Sequence, residues 1–187
     1  MPIITHPAHT GKGEFTISVD KMARVRYDIG ERKTIMNNQR KAYRLPGYDY
    51  SRPGTYFVTL CVKDKSNLFW DKTALLEKRI LLTQTAKTAE VAVEKIPEMY
   101  PNTAVDLYTI MPDHIHLLLV LRPSQEMNLP DLGRIIGQLK GYITKQLGFS
   151  PWQKLFYERI IKDENDYWQT RQYIISNPAK WLERHDN

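Results

Sequence analysis

Hydrophobic positions change their spacing several times along the chain, and each change predicts an element. Leu45-Pro-Gly-Tyr-Asp-Tyr-Ser-Arg-Pro-Gly54 is rich in turn formers and leads into Thr55-Tyr-Phe-Val-Thr-Leu-Cys-Val-Lys63, where β-branched and aromatic residues predict a first core strand. Apolar residues at Leu76, Ile80, Ala86, Ala89, Val91 and Val93 suit one amphipathic helix over 75–96, ended near Pro97. Two strands follow, 104–111 and the very apolar 110–122, as a hairpin turning near Pro112-Asp113. Leu132, Ile135, Ile136, Leu139, Ile143 and Leu147 repeat at i, i+3, i+4, i+7. Their helix is expected to start at Asn128-Leu-Pro-Asp131, with Pro130 in its first turn, and to stop at Gly148. A last strand is expected over 155–161, then a helix over 164–176 with Asp163 as N-cap and Pro178 ending it.

Strand, helix, strand, strand, helix, strand is the order of an α+β, ferredoxin-like (RRM-like) βαββαβ fold. It predicts a four-stranded antiparallel sheet with the hairpin strands in its middle and two helices on one face. The final helix is then free to cover part of the other face.

At 187 residues and 42% hydrophobic content, the chain suits one domain with an extension. Residues 1–44 lack a strong period and hold Lys21, Arg24, Arg26, Arg32, Lys33, Arg40, Lys41 and Arg44; they read as a basic N-terminal extension to a domain over 45–187. The net charge of +6 favours polyanionic partners without choosing one. Cys61 is the single cysteine, which excludes a disulfide framework or a thiolate zinc cluster and suits the cytoplasm. No apolar run reaches the roughly 20 residues of a membrane span, and no phosphate loop for a nucleotide cofactor is present.

Candidate chemistry centres on Asp113-His-Ile-His116. On a strand, His114 and His116 share a face with Leu118 and Val120, while Ile115, Leu117, Leu119 and Leu121 share the other. Their Cα atoms would lie about 6.6 Å apart, close enough for two ring nitrogens to converge on one metal ion. Spacing alone equally allows two strand-end histidines satisfied by backbone or water. In the last helix Tyr167, Trp168, Ile174 and Ile175 form an apolar stripe, with Gln169, Thr170, Tyr173 and Asn177 opposite. Tyr173 and Asn177 are one turn apart and project together, which is equally the pattern of a surface tyrosine before an Asn-Pro stop.

Four stretches together carry a resemblance: Leu45-Pro-Gly-Tyr-Asp-Tyr-Ser with Gly54-Thr-Tyr-Phe-Val-Thr, Met111-Pro-Asp-His-Ile-His-Leu-Leu, Pro151-Trp-Gln, and Tyr173-Ile-Ile-Ser-Asn-Pro178. In this order and spacing, over residues 44–181, they resemble the HUH single-strand transposases with one tyrosine, in particular the REP-associated tyrosine transposases (RAYTs). The resemblance implies that His114 and His116 bind Mg²⁺ or Mn²⁺, that Asn177 is the third ligand, and that Tyr173 attacks DNA. Autonomous insertion-sequence relatives carry glutamine where Asn177 stands, which points to the RAYT branch. Members often have histidine where Arg159 stands, so no catalytic role is carried over to that strand. Tyr167 is the rival nucleophile, on the apolar stripe and without an Asn one turn on.

The implied activity is a metal-dependent single-stranded DNA endonuclease and strand transferase, forming a 5′-phosphotyrosine at hairpin sequences in a cytoplasmic, nucleoid-associated setting. A phenol with pKa near 10 needs a cation beside it to act at neutral pH. Arg134, Lys140 and Lys145 are candidates for gripping a hairpin backbone. Monomer and homodimer stay equally open. Two other functions stay open as well: a non-catalytic RRM-like module stacking bases on Tyr56 and Phe57, and a His-x-His metal-dependent hydrolase.

Overall fold

The computed structural model describes residues 47–125 and 129–185. The basic extension over 1–44 and the expected helix start at Asn128 therefore lie outside the described residues. In chain order the elements are β1 (Gly54–Cys61), α1 (Lys72–Leu76), α2 (Gln84–Glu94), α3 (Ile96–Met99), β2 (Thr103–Ile110), β3 (His114–Leu121), α4 (Leu132–Leu147), β4 (Tyr157–Ile160) and α5 (Glu164–Arg184). This is an α+β architecture with one four-stranded antiparallel sheet in the order β2-β3-β1-β4.

The hairpin strands do not both lie in the middle, as the pattern suggested. β3 and β1 are central, and β2 is an edge. β3 has the composition for the centre, since Leu117, Leu118 and Leu119 are fully buried in succession and both its faces are covered. β2 carries Asp106 at a bulge, where Val105 pairs with Leu119 and Leu107 with Leu118, so Asp106 is an extra residue. Charges and bulges suit an edge.

One continuous helix over 75–96 is likewise corrected. Asp71 caps α1 by accepting from the Ala74 amide at 2.8 Å, and Thr83 caps α2 through the Ala86 amide at 3.2 Å. Between them Lys78 takes φ 56°, which no helix interior allows, and Leu76 is left exposed. α4 begins at Leu132 behind its N-cap Asp131, so Pro130 precedes the cap. Gly148 closes α4 in the left-handed conformation at φ 75°, as the pattern predicts.

α2 and α4 bury Ala86, Ala89, Val93, Ile135, Leu139 and Ile143 against the sheet face that carries Tyr56, Val58, Leu60, Ile115, Leu117 and Leu119. α5 lies on the opposite face, where Ile174 meets Leu107 and Leu118 in a smaller cluster flanked by Phe57 and Ile175. α5 starts behind Asp163, whose carboxylate accepts from the Asp166 amide at 2.8 Å. It does not end at Pro178. The fixed φ of proline is itself helical, and the helix is held on both sides of it, by Ile174 in the small cluster and by Trp181 edge-on to Trp70 at 5.2 Å. The buried stripe is Thr170, Ile174 and Pro178, so Thr170 is on the core side and Trp168, 52% exposed, is off it.

Candidate metal and tyrosine site

β3 places His114 and His116 on the α5 face, two residues apart beside the turn that opens the strand. Their Nε2 atoms face each other at 3.0 Å. His116 is 4% exposed, with its Nδ1 2.9 Å from Thr59 Oγ1 on the neighbouring strand, directly across the ladder. His114 Nδ1 lies 2.6 Å from Asp113 Oδ1. A carboxylate only accepts, so this contact fixes the proton on His114 Nδ1 and leaves Nε2 with a free lone pair. When His116 Nδ1 donates to the threonine hydroxyl, its Nε2 is bare as well.

Two bare nitrogens at 3.0 Å repel unless a proton or a cation lies between them. Burial, and then the neighbouring His114, push the His116 imidazole down to about 3, which disfavours the proton. The two ring nitrogens converge, and paired imidazoles with free lone pairs are donors that a divalent ion accepts, so the pair fits such an ion. The hydrogen bond from His114 lowers the Asp113 carboxyl below its usual range, and the carboxylate orients the ring from behind.

Tyr173 points into the same place from α5. Its hydroxyl is 3.5 Å from His116 Nε2, its ring sits 5.3 Å from the imidazole and edge-on to Phe57 at 5.9 Å, and it remains 41% exposed. Asn177 is half-buried, one turn further along the same helix. Among the described residues no group of three or more His, Cys, Asp or Glu side chains is arranged to hold a metal, so any third protein ligand here is of another type.

Tyr167 has a different setting. Its hydroxyl donates to Asp106 Oδ2 at 2.8 Å, Arg171 Nη1 reaches the same oxygen at 2.5 Å, and burial followed by the Asp106 hydrogen bond pushes the phenol up. Arg159 reaches Asp166 and, at 2.6 Å, Thr170 Oγ1, and it lies over the Phe57 ring at 5.8 Å. Tyr56 is fully buried on the α2/α4 face, with its hydroxyl on the Arg52 carbonyl at 2.8 Å, so it offers no ring for base stacking.

The three candidate backbone contacts are all on α4, on the far side of the sheet from the histidines. Arg134 and Lys145 are exposed, whereas Lys140 Nζ donates to the carbonyls of Gln153 at 2.7 Å and Lys154 at 3.2 Å. Sequence reasoning missed Thr59, which only the β1/β3 register reveals, and the orienting carboxylate of Asp113, for which adjacency to His114 was the signal. No helix among the described residues is long and apolar enough to cross a membrane.

No family model matches the chain. The chain is 29% identical over 147 residues to a Haemophilus influenzae protein named "Putative REP-associated tyrosine transposase", covering 71% of this chain and 74% of that one. It is 23% identical over 138 residues to the REP-associated tyrosine transposase of Escherichia coli, covering 72% and 73%. Among solved structures it resembles a REP-associated tyrosine transposase bound to a REP hairpin, with a TM-score of 0.53 and 22% identity over 71% of each chain, a likeness of fold. These proteins relate the chain to the transposases, which are enzymes. Within that class, the similarity in sequence is to the REP-associated tyrosine transposases, and the fold resembles that of a solved member.

Proposed function

We propose that the chain is a metal-dependent single-stranded DNA endonuclease and strand transferase that acts at hairpin sequences through Tyr173. The observation that carries this reading is the Tyr173 hydroxyl 3.5 Å from His116 Nε2, at the point where the His114 and His116 lone pairs converge. We read the sheet as a ferredoxin-like platform with the tyrosine helix laid across it. His114, His116 and the amide oxygen of Asn177 would hold Mg²⁺ or Mn²⁺, and manganese suits the imidazoles better. When bound, the ion would supply charge to the scissile phosphate and ease loss of the phenolic proton.

Tyr173 then attacks phosphorus, and the bond to the 3′ oxygen breaks. The products are a 5′-phosphotyrosine and a free 3′-OH, and rejoining is the reverse step with another 3′-OH. One phosphodiester is exchanged for another, so no nucleotide cofactor is needed. Phe57 holds the phenol edge-on and Asp113 orients His114. Tyrosine and histidines belong to one chain, so a monomer carries the complete set. The fold relative bound to a REP hairpin supports a hairpin as the DNA partner. The passive RRM-like reading loses Tyr56 to the core and most of the open face to α5. For the His-x-His hydrolase reading, no group of three or more His, Cys, Asp or Glu side chains is arranged to hold a metal among the described residues.

Incubation of the protein with a labelled hairpin bearing an unpaired flank and Mn²⁺ is expected to give an adduct that survives denaturation. Tyr173→Phe should abolish the adduct and Tyr167→Phe should retain it; the opposite pattern, or an adduct unaffected by EDTA, overturns the assignment.

A further inference from the structure

The geometry points to a second DNA contact, a phosphate-binding groove formed by Lys63, Lys154, Lys140 and Ser150, which holds the strand backbone a few nucleotides from the bond that Tyr173 attacks. It rests on the reading of the chain as a strand transferase. The groove is a cavity of about 400 Å³ between the C-terminal half of α4 and segment 150–154. Its lining also includes Thr144 and Trp152, and no carboxylate. Three amines and two hydroxyls around a space without an acid suit phosphate oxygens.

The Lys140 ammonium has three N–H donors. Two are taken by the carbonyls of Gln153 and Lys154, which fixes the amine in place and leaves the third donor free. Such an amine loses little rotamer freedom when it binds an anion. Trp152 donates to the Lys140 carbonyl at 3.2 Å and bridges Val62, so the groove wall is tied to the sheet.

The link to the histidine site is short and runs through the β1/β3 ladder. Cys61 pairs with His114 across the β1/β3 ladder, the Val62 amide donates to the Asp113 carbonyl at 2.8 Å, and Lys63 lines the groove. Two residues along a strand and one step across put the Lys63 Cα about 8 Å from that of His114. At about 3.4 Å per stacked nucleotide, this spans two to three nucleotides. A strand with one phosphate at the histidines, led around this end of the sheet towards α4, therefore brings a later phosphate to Lys63 at the mouth of the groove.

The test is equilibrium binding of the labelled hairpin with its unpaired flank in EDTA, over a range of salt, by the wild type, the Lys63→Gln/Lys154→Gln double variant and Lys87→Gln on the surface of α2. The double variant is expected to bind more weakly and to lower the slope of log affinity against log salt by about 1.4 to 1.8, two contacts at about 0.7 to 0.9 each. Ethylation interference should disappear in the double variant only at phosphates within three nucleotides of the bond joined to tyrosine. A slope change no larger than that of Lys87→Gln, or lost interference confined to the distant stem, overturns the groove. Absence of any tyrosine adduct in the wild type, with the lysine effect on slope intact, would sink the transferase reading and leave the groove as a DNA site.

Discussion

His116 sets the behaviour of the site at the scale of single residues. Its imidazole is pushed down to about 3 in the folded chain, against about 6.5 when unfolded. Between those values the unfolded chain binds more protons, so stability is full above pH 6.5 and falls as pH drops towards 3, with a slope of up to about 1.4 kcal/mol per pH unit. The depressed Asp113 carboxyl adds a loss of the same sign below its ordinary pKa of 3.8. Denaturant melts of the metal-free protein at pH 7 and pH 5 should show the lower midpoint at pH 5, and His116→Gln should flatten the difference. Asp113→Asn removes the charge behind His114 and is expected to weaken Mn²⁺ binding about 10- to 100-fold in a calorimetric titration, with the fold retained. The histidine pair was legible in the sequence because a period of two puts His114 and His116 on one face in any register. Thr59 was not, because its place beside His116 depends on which strand lies next to β3, a fact of pairing and not of pattern.

Elements were legible where a local rule governs them and illegible where tertiary contacts decide. Asp163 and Gly148 ended their helices as capping chemistry requires. The run from 75 to 96 kept its apolar spacing across a break, because Leu76 belongs to no buried stripe and Thr83 supplies a new start. Pro178 looked like a stop because the local rule is strong, and packing of Trp181 on Trp70 outweighed it. Phe57, Asp106 and Arg171 now define how α5 sits. The Asp106 carboxylate takes hydrogen bonds from Tyr167 and Arg171, which precede Tyr173 on the same helix. Arg171→Met leaves the half-buried Asp106 carboxylate with one partner and is expected to destabilise by about 1–3 kcal/mol, read as a lower denaturation midpoint. Hydrogen exchange should accelerate first in amides 164–178 and last in β3.

At the scale of the whole molecule, one face of the sheet builds the core and the other carries the candidate site, a division set by Ile115, Leu117 and Leu119 against His114, His116 and Leu118. Affinity for a hairpin with an unpaired flank should fall steeply with salt, and a blunt duplex of the same sequence should compete poorly, because a paired strand must be opened to reach the tyrosine. Equal nicking of the blunt duplex would contradict a single-strand enzyme. The bulge in β2 has a consequence of another kind. An edge strand exposes a row of unpaired amides and carbonyls that another copy can extend, and protein gathered at high local density on DNA meets that hazard often. The extra residue at Asp106 interrupts the even ladder. Deleting Asp106 would restore an unbroken β2 edge, and the variant should scatter light and sediment as large particles at concentrations where the wild type stays dispersed.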